Sequence, residues 1–326
     1  MGKYLLKRIF GLFPMLLGIT LITFVVIHLA PGEPVEMQVS MSPKISAATR
    51  ERLREFYGLN KPLHVQYVNW LSHLARFDFG KSFAPDHRPV TDKIVERIPV
   101  TLSLNVIALI LEFCLAIPIG ILAAVHRDTL IDRCISVFVF VGFAIPTFWL
   151  ALLCMYFFGV QHNWLPISGL HSMGSDKLSF FPWLMDMGKH LLLPVGVATF
   201  GSLAGLSRYM RSTMLEILSQ DYITTARAKG VAERVVIYKH ALKNALLPVI
   251  TLLGFSLPGL IGGSVIFETI FAIPGMGQLF YQGVMARDYP LVMGILVIGA
   301  FLTLLGNLLA DLCYGFADPR IRHGRE

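Results

Sequence analysis

Six long apolar runs constrain this chain more than any other feature in it. The first, residues 9–30, holds no Asp, Glu, Lys or Arg. At about 1.5 Å per helical residue it reaches roughly 33 Å, and the hydrocarbon core of a bilayer is about 30 Å thick. Comparable runs follow at 101–125, 135–160, 190–206, 245–271 and 291–314. With 55% hydrophobic and 15% charged residues and a mean hydropathy of +0.63, a water-soluble domain of 326 residues could not hide this surface. The expected fold class is therefore all-α, a polytopic membrane protein with about six transmembrane helices. The opening run exceeds a signal-peptide core of about 7–15 residues, and no A-x-A site follows it, so it is expected to stay as the first membrane helix.

Between the first two runs, residues 31–99 change character, with ten Lys/Arg against eight Asp/Glu. Ser46 can cap a helix running to Tyr57, with Gly58 just past its end. A second helix is expected over 64–76, where Tyr67, Leu71 and Leu74 share a face, and a third, capped by Thr91, through Arg97. This stretch reads as a helical extracytoplasmic insertion in one membrane domain spanning 1–326. A further outer loop covers 161–189, with Trp164 and Trp183 as interface anchors. The run 190–206 is the weakest, and Pro194, Gly196, Gly201 and Gly205 predict a short, broken helix facing protein.

The net charge of +7 matters here through its distribution. Lys3, Lys7 and Arg8, Arg127 and Arg133, seven Lys/Arg from Arg208 to Lys243, and Arg320, Arg322 and Arg325 fall on one side of the six-helix reading. Only Lys177, Lys189 and Arg287 occupy the short segments on the other. Positive residues stay inside, so both termini are expected in the cytoplasm, and no nucleic-acid partner is expected.

Catalytic patterns are missing from the sequence. No GxxxxGK[ST], HExxH, GxSxG or metal-ligand spacing occurs, so neither an enzyme, a cofactor nor a bound metal is expected. Cys114, Cys134, Cys154 and Cys313 lie in or beside apolar runs and read as buried thiols rather than disulfides or zinc ligands. Ionisable groups within membrane runs are suspects for function. Glu112 lies midway along the second run, Glu268 near the outer end of the fifth and Asp311 near the inner end of the sixth. The latter two can reach an interface. Pro118, Pro146 and Pro258, the last beside Gly259, Gly262 and Gly263, are expected to interrupt helices. Glu112, Pro258, Gly259 and Glu268 are the candidate pathway or gating positions.

The polar, basic stretch 221–248 stands apart from these runs, within a loop at 208–244. Asp221 can cap a short helix, Arg227 and Lys229 suit its C-terminal dipole, and Gly230 supplies a left-handed stop. A second helix restarts with Val231, Val235, Tyr238, Leu242 and Leu246 on the face expected to pack. Two readings remain open: a basic loop lying on anionic headgroups, or a helix that inserts into a protein groove.

This stretch resembles the EAA loop of ABC-importer permeases, whose short cytoplasmic coupling helix meets the ATPase subunit. It is most similar to the B-type permeases of the peptide/nickel family. KRIFGLFPMLLGITLITFVVIHLAPGEP, YGLNKPLHVQYVNWL, FDFGKSF, ETIFAIPGMGQLF and ADPRIR carry the resemblance over nearly the whole chain. Thr224, Thr225 and Ala226 stand at the EAA positions, with Gly230 kept. The glutamate is missing, and the downstream proline is absent near Lys243. The resemblance implies ATPase docking through Thr224, Thr225, Ala226, Arg227, Lys229 and Gly230. It also implies a homologous C-type permease subunit, two cytoplasmic ABC ATPases, an extracytoplasmic solute-binding protein and surrounding lipid. The alternative is a stand-alone secondary transporter or channel using Glu112; a membrane enzyme lacks a catalytic set.

Overall fold

The computed structural model describes residues 2–29, 51–52, 54–55, 58–256 and 259–317, with side chains described between 10 and 308. In chain order, the first helices are α1 (Gly2–Leu29), α2 (Leu63–Leu74), α3 (Val90–Val125) and α4 (Leu130–Ala144). Next come α5 (Thr147–Cys154), which continues as a π-helical turn over Met155–Gln161, and α6 (Phe180–Leu218). The helix α7 (Asp221–Ala228) precedes α8 (Leu242–Ser256), which is entered through a π-helical turn at Val236–Ala241. A short turn at Gly259–Gly262 leads to α9 (Val265–Ile270), α10 (Met276–Met285) and α11 (Tyr289–Ala317). No named strand occurs among the described residues. Five helices are long and apolar enough to cross a membrane, or up to six if α4 and the bent segment after it form one span.

The spine of the bundle is α3 beside α6, running in the same direction. Thr199 Oγ1 donates to the Ala108 carbonyl at 3.4 Å along this seam. Further along, a Cβ on Gly120 would sit 2.6 Å from Met210 Cβ and 2.7 Å from the Ser207 carbonyl. Only a missing side chain lets the two backbones come this close. Two cores grow from the seam. One gathers Leu104, Leu191, Val195 and Val197 with Ala151, Phe267 and Phe271. The other joins Ile121, Leu206, Met210 and Met214 to Ile223, Val236, Ala241, Ala245 and Val249.

The weakest apolar run is the most enclosed span. Helix α6 is one unbroken 39-residue helix, not a short, broken one, although its expected protein environment is present. Pro194 stays within it, as Pro99 and Pro118 stay within α3, so Pro118 does not interrupt its helix. Close neighbours allow a membrane helix to tolerate a proline-freed carbonyl. Among the glycines of α6, only Gly201 makes a close approach, to Thr147; a Cβ on Gly196 or Gly205 would meet open space. Trp183 lies inside α6 rather than in an outer loop. Thr91 likewise lies inside α3, whose N-cap position is Pro89, so the third short helix and the second membrane helix are one.

Pro146 does break the chain. Proline disfavours helical geometry in the residue before it, and Ile145 is extended at φ −83, ψ 122. The segments Leu130–Ala144 and Thr147–Gln161 meet at 96°. The expected burial of the cysteines fails for Cys114 and Cys134, which are exposed on the outside of the bundle, while Cys154 is half-buried. In lipid a weakly polar thiol gains little by turning inward, because hydrocarbon surrounds it on either side.

At the end of α3 opposite α7, the insertion packs on α1 and α11. Tyr67 and Trp70 of α2 meet Phe24 with ring centroids 5.3 and 6.3 Å away, beside Tyr289 and Met293. The α2 span agrees with the expected helix, whereas most of the helix expected over 46–57 lies outside the described residues. Asp288, 1% exposed, pins the arrangement. It accepts from Ser82 Oγ, from Phe83 N at 3.0 Å and from Leu291 N at 3.3 Å, capping α11 while holding the insertion. Lys93 Nζ reaches Ser82 Oγ at 2.9 Å and Asp86 Oδ1 at 2.8 Å, and holds the Asp86 carboxyl below the usual carboxylate range.

Asp288→Ala leaves the Phe83 and Leu291 amides without this acceptor, at a cost of about 1–3 kcal/mol. The expected result is faster limited proteolysis within 75–89 with little change across the α3–α6 seam. Unchanged cleavage kinetics would refute the assignment.

Candidate functional site: the exposed helix α7 and its anchor

Helix α7 is short and polar, and a single side chain roots it. Ile223 is 0% exposed in the core shared by α3, α6 and the segment leading into α8. Ala226 is half-buried beside it, and Thr224, Thr225, Arg227, Ala228, Lys229 and Gly230 are exposed. Asp221 is not the cap: Gln220 occupies that position without a side-chain hydrogen bond, and Asp221 is the first helical residue. There its carboxylate still lies in the first turn, where negative charge suits the helix dipole.

The end of α7 matches the glycine stop. Gly230 sits at φ +74, and a Cβ there would meet nothing within 4 Å, so the requirement is conformational rather than spatial. Gly230 N donates to Arg227 O at 2.9 Å and Val231 N to Ala226 O at 3.2 Å. This pair of bonds is the Schellman pattern, which satisfies the last carbonyls of a helix. Arg227 donates to Glu233 through Nε at 3.2 Å and Nη2 at 2.7 Å across the turn. The Glu233 carboxylate pushes Arg227 further above its ordinary value and fixes its charge. On the other side, Asn244 Nδ2 donates to the Tyr222 hydroxyl at 2.8 Å.

The face expected to pack after Gly230 is corrected by the structure. Val235 and Tyr238 are exposed, and Val231, Leu242 and Leu246 only flank the core. The buried set is Val236, Ile237, Ala241, Ala245 and Val249. The π-helical turn at Val236–Ala241 spaces the first of these by five residues before an α-helical spacing of four resumes. A pattern assumed to keep 3.6 residues per turn therefore loses phase at this turn.

Ile223 and two charged residues escape a reading of the sequence alone. Arg211 of α6 donates to Asp132 of α4 through Nε and Nη2, both at 2.7 Å, and Asp128 N adds a bond at 3.0 Å. The only sequence signal for this pair is a carboxylate and a guanidinium near the ends of two neighbouring runs. Ile223 stands out as the one large aliphatic residue in a polar helix, but its burial depends on chain segments distant in sequence.

The candidate pathway residues form two separate settings. Glu268 does not reach an interface: it is 2% exposed. Its Oε1 accepts from Thr101 Oγ1 at 2.9 Å and its Oε2 from Gln278 N at 3.0 Å, in the first turn of α10. Thr101 Oγ1 in turn accepts from Met276 N at 2.8 Å. A carboxylate at a helix N-terminus satisfies orphan amides and the dipole together. Beside it, Leu104, Asn105, Thr147 and Ser264 help line a cavity of about 160 Å3. Asn105 Nδ2 donates to Leu260 O at 2.9 Å and Gly259 O at 3.3 Å, covering carbonyls freed where the fifth span breaks. Asn105, a lone amide in an apolar run, is the overlooked signal there. Glu112 is half-buried on α3 beside Ser202 of α6 and does not join this cluster. Pro258 and the Asp311 side chain lie outside the described residues.

Broken spans, a buried polar knot and a small exposed helix rooted in the bundle fit the class of membrane transport subunits, and the family comparison places the chain there. Residues 116–323 match the family model described as binding-protein-dependent transport system inner membrane component, and residues 1–105 match the corresponding N-terminal model. The chain belongs to this family and is a permease subunit of an ABC importer, a multi-pass inner membrane protein. It is 44% identical to the oligopeptide transport system permease protein AppB of Bacillus subtilis, over 99% of this chain and 100% of that one. It is 36% identical to the protein named "Probable peptide ABC transporter permease protein y4tP" of Sinorhizobium fredii, over 99% of this chain and 100% of that one. Its fold is similar to that of the MetNI methionine ABC transporter in inward-facing form. The TM-score is 0.52 at 22% identity, covering 68% of this chain and 94% of that one.

Two variants test this geometry. Ile223→Ala empties the socket beneath α7 and is expected to cost about 2–5 kcal/mol of packing, the range for such core truncations. Hydrogen exchange should rise across α7 while the α3–α6 seam stays protected; unaltered exchange would overturn the anchor. Gly275→Ala places a Cβ 2.5 Å from both Glu268 Oε2 and Thr101 Oγ1. Overpacking of this kind costs about 1–3 kcal/mol, so the melting temperature in detergent should fall.

Proposed function

We propose that this chain is the B-type half of a peptide importer and that α7 is its cytoplasmic contact with an ABC ATPase. A homologous C-type permease subunit completes the pathway, two ATPases drive it, and an extracytoplasmic binding protein delivers the peptide. The full-length likeness to named peptide permeases supports the substrate class. The clustering of Lys/Arg around α7 supports placing it in the cytoplasm.

One observation carries the mechanism: the only fully buried side chain of α7, Ile223, sits in a core shared with α3, α6 and α8. A partner that displaces α7 therefore loads three long helices at once. The exposed row Thr224, Thr225, Lys229 and Gly230 is left to meet the partner's groove. No residue need do chemistry. The two transport states need only differ in their contacts with the ATPases.

Gly230→Pro tests the coupling. Proline fixes φ near −65°, against +74 here, and removes the amide that bonds Arg227 O. Peptide uptake and permease-dependent stimulation of ATP hydrolysis should both be lost, with the protein still in the membrane. Normal uptake with unchanged stimulation sinks the proposal. Solute movement by the purified chain alone under an ion gradient would favour the secondary-transporter reading instead.

A further inference from the structure

We propose that a groove between α4 and α6 is a site for an anionic phospholipid, with Arg208 as the headgroup ligand. The groove encloses about 490 Å3 beside the Asp132–Arg211 pair. One wall is apolar and comes from a single face of α4: Ile135, Val139, Phe140 and Phe143. From Ile135 to Phe143 this wall rises about 12 Å, enough for most of an extended acyl chain's upper half. Phe143 is 76% exposed and Phe140 68%, so no other part of this chain covers the wall. Gly205 of α6 forms part of the opposite side, and a Cβ there would meet nothing within 4 Å.

The polar end of the groove is chemically lopsided. Arg208 and Arg211 both line it, one helical turn apart. Arg211 is already engaged, because both its bonds go to Asp132. Ser207 is also occupied, donating to Leu203 O at 2.7 Å. Among the described residues no carboxylate pairs with Arg208, which is exposed at the end of the apolar part of α6. The groove therefore carries one uncompensated positive charge at the head of an apolar trough. A guanidinium binds phosphate oxygens in pairs, and at a membrane interface its stem lies along apolar surface while the head reaches the headgroup layer. A lipid of net negative charge matches this pattern better than a zwitterionic one, because only the former leaves the groove neutral.

The test uses the full chain in detergent, with native mass spectrometry counting retained phosphatidylglycerol and phosphatidylcholine. Arg208→Gln removes the headgroup contact; Gly205→Leu fills the trough and also improves helix propensity, so its folding is not at risk. Arg208→Gln should retain phosphatidylglycerol about tenfold less well than the parent chain, the loss of one charge-assisted contact, with phosphatidylcholine unaffected, while Gly205→Leu should lower phosphatidylglycerol retention by excluding the acyl chain. Equal phosphatidylglycerol retention in parent and variants overturns the proposal. So does an Arg208-dependent rise in melting temperature with inorganic phosphate that equals the rise with phosphatidylglycerol, since the site would then hold a free anion. Loss of a co-expressed permease partner from either variant, with lipid retention unchanged, would make the groove a protein interface and equally refute it.

Discussion

The close approach of α3 and α6 at Gly120 is the contact on which the rest of the bundle depends. Hydrocarbon offers no hydrophobic drive for helices to associate, so packing must come from shape. A glycine against Met210 and the Ser207 carbonyl supplies that shape, and both large cores extend from the same seam. At one end the seam holds α5 and α9; at the other it holds α7 and the start of α8. The two ends of the molecule are therefore joined by the stiffest element available, two side-by-side helices of 36 and 39 residues.

Breaks in the remaining spans are tolerable because their polar groups are answered by side chains. The carbonyls of Gly259 and Leu260 accept from the Asn105 amide, and the amides opening α10 donate to Glu268 and Thr101. A membrane tolerates irregular backbone only where protein satisfies it. Glu268 is thus first a cap that happens to lie beside a small polar cavity, and its burial is the natural outcome of that task.

How much of this the sequence discloses divides along physical lines. Apolar runs fix spans by length alone, and all six expected spans overlap helical segments of the structure. Gly230 and the α7 helix are legible because a left-handed stop is a local property. The breaks are harder. Pro146 and Pro194 are the same residue type, yet only the first ends its helix, while the second stays within a continuous helix enclosed by neighbours. The packing face beyond Gly230 is misplaced by periodicity because a π-helical turn shifts its phase, and nothing in the local pattern announces that turn. Ile223, Asp132 and Arg211 act only through partners remote in sequence, beyond the reach of periodicity.

The missing glutamate of the EAA pattern can now be weighed against what α7 offers in its place. Charge for docking is expected from Arg227, but both its bonds lie within the chain, to Glu233. An exposed pair of this kind adds little stability, and its main effect here is to set the turn after α7. Lys229 has no bonded carboxylate among the described residues and projects from the same end. In the proposed complex the charge available to an acidic partner is therefore Lys229, while Arg227 and Gly230 shape the surface around it. Contact by shape suits a lever: transmitted motion requires that α7 stay seated in both transport states, and that demand falls on Ile223 and its socket rather than on any ion pair.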